Sequence, residues 1–220
     1  MDWGETRERA IREHGERGRA PARGREDFRL AGIAGASWAA GLASAMLGEN
    51  AAAAEWLGRA ADEYVTSWRA APPGSWGRPI AVLRCRLMAG DAEGARVDAE
   101  ATLDEGALDA PGPIAAYCAA LALLVLERDA EAVPLAERAS REGLDPVAVA
   151  DALGALARAE SGEFARARQK VLRSFEERDA FLEDIRVADT VLVLNALARV
   201  RGIVPEPLRS ALLPGTDPGD

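Results

Sequence analysis

Apolar residues recur through most of this chain at the i, i+3, i+4 spacing of one helix face, and the runs are separated by short glycine- or proline-containing breaks. The first periodic stretch begins at Glu26 and reaches about Leu47, marked by Phe28, Leu30, Ile33, Trp38, Leu42 and Leu47. Gly48-Glu49-Asn50 interrupts it. A second helix then runs through Arg69 with Ala53, Trp56, Leu57, Ala60, Ala61, Tyr64 and Trp68 on its stripe. Pro72-Pro73-Gly74 cannot continue a helix, and Pro79 suits the first turn of the next one. Further breaks stand at Ala110-Pro111-Gly112-Pro113 and Gly143-Leu144-Asp145-Pro146, where Asp145 is expected to cap the following helix. Pro134 is expected in the first turn of its own helix.

The turns repeat. Gly48-Glu49 precedes Ala53, Gly90-Asp91 precedes Ala95, and Gly162-Glu163 precedes Ala167. Arg128-Asp129, followed by Val133, holds the same place in the remaining unit. Glycine can close the first helix in a left-handed conformation, the acid favours the positive end of the second, and alanine lets the two approach. Separations of 42, 38 and 34 residues fall in the range of helical-hairpin repeats. Four pairs are predicted, at about 26–69, 79–105, 113–142 and 146–178, followed by a capping helix over Val187–Arg201. The fold class is all-α, a tetratricopeptide-like helical-hairpin array. Residues 1–24, rich in arginine and broken by Gly15, Gly18, Pro21 and Gly24, read as a flexible charged arm in which Glu5–Glu13 could form a short helix. Residues 25–214 read as one repeat domain and 215–220 as a disordered tail.

Composition sharpens this picture more than it changes it. Alanine, leucine, arginine and glutamate favour helix over strand. The net charge of −9 disfavours uniform nucleic-acid binding and suits a basic protein partner, although it also simply maintains solubility. Cys85 and Cys118 lie in apolar helical segments and read as reduced core residues. The apolar run Ala119–Leu126 is too short to span a bilayer, so a cytoplasmic protein without membrane attachment is expected.

Catalytic signatures are absent from the pattern. His14 is the only histidine and sits in the arm, which leaves no Ser-His-Asp, Cys-His or Cys/His zinc arrangement. No cofactor is expected. Carboxylates crowd Glu176, Glu177, Asp179, Glu183 and Asp184, with Phe181 among them. Two such groups could serve as acid and base or hold a divalent cation, but Arg173, Arg178 and Arg186 can neutralise part of the charge. A salt-bridged helix junction open to a partner is the preferred reading. Asp189 begins an apolar helix and is expected to meet its free backbone N–H groups. Trp76 with Arg78 is either a binding anchor or, preferably, a plug over its loop.

The last third also resembles a known family. Val171, Leu172 and Phe175 lead into the charged-aromatic turn ending at Asp184; a long apolar helix reaches Ala198, and Arg201-Gly202-Ile203 and Ser210-Ala211-Leu212-Leu213-Pro214 follow. Over about residues 171–214 this succession is similar to the C-terminal pattern of the immunity protein 49 family of bacterial polymorphic-toxin systems. The resemblance implies an all-α protein that neutralises a cognate toxin by binding it, with no catalytic residues. Phe175 and Phe181 stand where that family tends to carry histidine, tyrosine or tryptophan. The expected partner is thus a protein, either a basic toxin domain or a peptide gripped in a concave face lined by Tyr64, Trp68 and Trp76. A carboxylate-dependent enzyme is the reading from another class.

Overall fold

Sequence periodicity becomes ten α-helices and one 3-10 turn in the computed structural model, which describes residues 1–21 and 24–215. Among the described residues there is no strand, and the fold is all-α. The helices are α1 (Trp3–Arg19), α2 (Glu26–Met46), α3 (Asn50–Ala70), α4 (Gly77–Ala89), α5 (Ala92–Asp104), α6 (Pro113–Val125), α7 (Asp129–Arg141), α8 (Val147–Ala157), α9 (Ser161–Glu176) and α10 (Asp189–Val200). The 3-10 turn is Leu182–Asp184. Arg23 of the expected arm and all of the expected tail beyond Gly215 lie outside the described residues.

The chain forms two compact units. One comprises Met1–Asp91, Asp179–Val187 and residues 209–215; the other comprises Ala92–Arg178 and Ala188–Leu208. In the first, α1 packs on α2, α2 on α3 and α3 on α4. In the second, α5 through α9 each pack on the next, and α10 lies against α8 and α9. Within each unit, short connections return a helix against its predecessor, which is the helical-hairpin arrangement the periodicity predicts.

The hairpins share one closing device. At the ends of α2, α4, α6 and α8 a residue turns left-handed: Gly48 (φ 75°), Gly90 (φ 75°), Glu127 (φ 58°) and Ala159 (φ 55°). The next backbone N–H then reaches back five residues. Glu49 donates to the Ser44 carbonyl at 3.0 Å, Asp91 to Arg86 at 3.0 Å, Arg128 to Leu123 at 2.9 Å and Glu160 to Ala155 at 2.9 Å. These are Schellman closures, which satisfy carbonyls that a helix end otherwise leaves open. Gly143 and Gly202 close α7 and α10 the same way, through Leu144 to Ala139 and Ile203 to Ala198, both 2.9 Å.

The fourth turn differs from expectation. Gly162 is the second residue of α9, and Ala159 makes the turn. The residue five positions after each left-handed turn is accordingly Ala53, Ala95, Ala132 and Phe164, all buried; Val133 is half-buried, whereas Ala167 is also buried, one helical turn further on. Glycine is the usual marker of a left-handed residue, and neither Glu127 nor Ala159 carries it. Two proline readings also shift. Pro146, joined to Asp145 by a cis bond, itself occupies the N-cap place of α8, so Asp145 does not cap it. Pro134 is the sixth residue of α7, where its missing N–H leaves the Ala130 carbonyl without its helical partner.

Close approach explains the alanine content. A Cβ added at Gly41 on α2 would lie 2.7 Å from Leu57 Cγ and 3.1 Å from the Leu57 backbone nitrogen on α3. Ala34, Ala36, Ala40, Ala43, Ala60 and Ala61 are buried on the same pair of helices. In the second unit, α6 is buried all round from Ala115 to Val125 and carries the core with Leu153, Leu156, Phe164 and Leu194. Cys118 lies within it, its thiol pushed up to about 12 by burial; Cys85 is likewise buried, and neither is in a disulfide. The capping helix is α10, which buries Val191, Val193, Leu194, Leu197 and Ala198 but leaves Val200 56% exposed. Asp189, buried, is its first residue, as expected. Among the described residues no helix is long and apolar enough to cross a membrane.

The expected flexible arm is instead α1. Asp2 caps it, accepting the Glu5 N–H at 3.1 Å. Gly15 and Gly18 are tolerated inside, at a cost of about 1 kcal/mol each. Partners distant in sequence hold it: Arg7 pairs with Glu49, and His14 Nε2 lies 2.7 Å from Glu63 Oε1. Part of the basic excess, Arg7 and Arg17, is therefore engaged within the first unit, which a local reading of the sequence cannot register.

Candidate functional site

The acidic segment 176–184 does not stay together as one exposed junction. Glu176 ends α9 and Glu177 follows it, both exposed, in the second unit, where Arg178 stacks on Phe175 with its guanidinium 3.8 Å from the ring centre. Asp179, Phe181, Glu183 and Asp184 belong to the first unit. Asp179 and Asp184 are exposed, and half-buried Phe181 has Arg186 over its ring at 5.6 Å.

Glu183 is drawn inward. Its side chain is 18% exposed and accepts from both terminal nitrogens of Arg17, at 2.9 and 2.8 Å. Arg17 also donates to the Gly32 carbonyl at 2.7 Å, and Arg9 to the Glu183 carbonyl at 3.4 Å. The Glu183 carboxylate holds the Arg17 guanidinium above its ordinary range, against the opposing effect of partial burial. On the other side α2 contributes Gly35, where a Cβ would come within 2.8 Å of Glu183 Oε1. Glu183 is thus an internal tie rather than a contact held out to a partner.

Tyr64, expected to line a groove, is only 6% exposed, and burial pushes its hydroxyl well above the ordinary tyrosine range. Trp68 is half-buried near the end of α3. Trp76 is half-buried at the N-cap of α4, its N–H 2.9 Å from the Gly74 carbonyl. Arg78 lies over the ring of Phe28 at 5.6 Å, and Arg25 covers the same ring at 4.5 Å. Phe28 is 59% exposed, so this helix marker faces solvent under two guanidinium groups rather than the core.

The largest concentration of acid lies elsewhere, on α5 and the turn after it. Residues 92–109 carry Glu93, Asp98, Glu100, Asp104, Glu105 and Asp109 against Arg96 alone, a net charge of −5 out of the chain's −9. Arg96 is itself engaged, donating to Glu127 at 3.1 Å. All of these acids except half-buried Asp98 are exposed, and Val97 stands among them 57% exposed. The helix buries only Ala95, Ala99 and Thr102, so its small face packs and its acidic face remains outward. This charge imbalance is visible in the sequence; acids alternating with alanine and glycine lack the aromatic clustering that draws attention to 176–184.

A hollow of about 410 Å³ lies along α8 and α9 in the second unit. Its wall combines Asp151, Glu160 and Glu163 with Arg158, Arg166 and Lys170, the chain's only lysine. The charges largely pair off: Arg158 with Glu160 at 2.9 Å and Arg166 with Glu163 at 2.5 Å, which holds the Glu163 carboxyl below its usual range. A general acid needs the opposite shift. Glu63 binds both His14 and Ser37, whose Oγ donates to Glu63 Oε2 at 2.7 Å; this places the carboxylate between serine and histidine, not the histidine against the serine. Among the described residues no group of three His, Cys, Asp or Glu side chains is disposed to hold a metal ion. No protein-family model, curated protein or solved structure matches this chain.

Proposed function

We propose that this chain is a non-catalytic protein-interaction module that binds a basic partner through the acidic face of α5, in the manner of an immunity protein that neutralises a toxin domain. The observation that carries the reading is the net charge of −5 over residues 92–109, presented around exposed Val97. Such a face steers a basic partner at long range, and an apolar centre gives it something to bury on contact. The pattern of residues 171–214, similar to the immunity protein 49 family, supports the toxin-directed version. The peptide-groove reading loses Tyr64 to the core. The carboxylate-enzyme reading loses Glu183, whose oxygens Arg17 occupies.

The test pairs the full chain with the product of the neighbouring reading frame in its host. A toxic product that the chain neutralises supports the proposal, provided that the quadruple variant Glu93→Lys, Glu100→Lys, Asp104→Lys, Glu105→Lys keeps wild-type helicity and melting but no longer protects. A harmless neighbour together with a clean non-toxin partner overturns the immunity reading. Undiminished protection by the variant overturns the assignment to α5.

A further inference from the structure

We infer that α1 and the Asp179–Val187 segment form a coupled electrostatic latch on the first unit, opening and closing together through the Arg17–Glu183 contact. This inference is independent of the proposed partner and of α5.

Three observations converge on it. First, α1 is attached by charge more than by apolar burial. Of its 17 residues only Thr6 and Ala10 are buried. Its polar attachments include Arg7 to Glu49, His14 to Glu63, Arg17 to the Gly32 carbonyl, and Arg17 and Arg9 to Glu183. Second, the segment receiving Arg17 is strained. Glu183 and Asp184 are consecutive non-glycine residues at φ 51° and 56°, a conformation that costs side-chain-bearing residues energy and persists only where surrounding contacts impose it. Third, those contacts are specific. The Arg17 fork takes both Glu183 oxygens, the Arg9 guanidinium takes its carbonyl, and Gly35 on α2 leaves the space its carboxylate fills.

The coupling follows from these contacts. Without Arg17, a half-buried carboxylate loses its counter-charge and the left-handed backbone loses its main side-chain contact, so Glu183 relaxes outward. When Glu183 leaves, Arg17 and Arg9 lose an acceptor and α1 keeps only the Gly32, Glu49 and Glu63 contacts. Each element therefore restrains the other. Because the contact is ionic and only partly buried, salt weakens it while leaving the apolar α2–α3 packing intact.

Hydrogen–deuterium exchange on the full chain tests the latch. Arg17→Gln should accelerate exchange of the α1 amides and of the 182–187 amides by a similar factor, roughly tenfold or more, with α3 unchanged. Gly35→Ala approaches the same contact from α2 and should accelerate α1 as well as the segment, although it alters no residue of either. In the wild type, 1 M sodium chloride should speed both together, which keeps the inference testable if a variant fails to fold. Acceleration of one element alone, of neither, or of the whole unit uniformly overturns it.

Discussion

At the scale of single residues, glycine separates into two kinds. Gly41 is needed for space: with its Cβ position 2.7 Å from Leu57 Cγ and 3.1 Å from the Leu57 backbone nitrogen, Gly41→Ala must push α2 and α3 apart. It should destabilise by about 1–3 kcal/mol in urea denaturation. Gly58, mid-helix in α3 with open space around it, has no such role. Gly58→Ala should stabilise by about 0.5–1 kcal/mol through helix propensity alone. Equal effects from the two substitutions would refute the close-approach account. The small residues Ala34, Gly35 and Ala39 near Gly41 point to a close approach on that face, but which glycine meets a neighbouring backbone is set by how the next helix docks, and local pattern alone does not encode that. The same limit hid Glu183: its carboxylate is indistinguishable from Asp184 in sequence, yet Arg17, 166 positions earlier, claims it.

The helices themselves were legible. The stripes and breakers placed α2 through α10 within a few residues because amphipathic periodicity and proline act locally. The turns were read correctly at Gly48 and Gly90 and displaced at the fourth hairpin, since Ala159 takes a conformation usually signalled by glycine. That gives a prediction for the element. Ala159→Gly should relieve the left-handed cost and stabilise the chain by about 1 kcal/mol, whereas Gly90→Ala should destabilise it by a similar amount. Thermal melts with opposite signs for the two substitutions would bear out a shared closure; a destabilising Ala159→Gly would count against it. The helix α1 was legible only as a short stretch over Glu5–Glu13, for the converse reason. Its local glycine and charge content argued for an arm, and its long-range ion pairs overruled that argument.

For the molecule as a whole, charge is unevenly placed: more than half of the formal −9 resides in residues 92–109. Association with a basic protein should therefore depend steeply on ionic strength, with the rate constant falling between 50 and 500 mM salt by about tenfold or more. Stopped-flow measurements on the α5 charge-reversal variant should show that dependence weakened or inverted. A salt-independent rate in the wild type would remove α5 from the encounter. The total charge was legible from composition. Its concentration on one helix was legible too, but the exposure of that face was not, because an acid's usefulness to another molecule depends on how its helix packs and on where this chain's own arginines have gone.

Those arginines have a consequence for chemical handling. Lys170, exposed beside the charged hollow of α8 and α9, is the one side-chain primary amine in a chain whose other basic groups, His14 apart, are guanidinium groups. Acylating dyes and amine-reactive cross-linkers thus have a single internal address, and enzymes that acetylate lysine or conjugate ubiquitin to it have one acceptor. A reporter attached there would sit on α9 without altering α1, Glu183 or any carboxylate of α5.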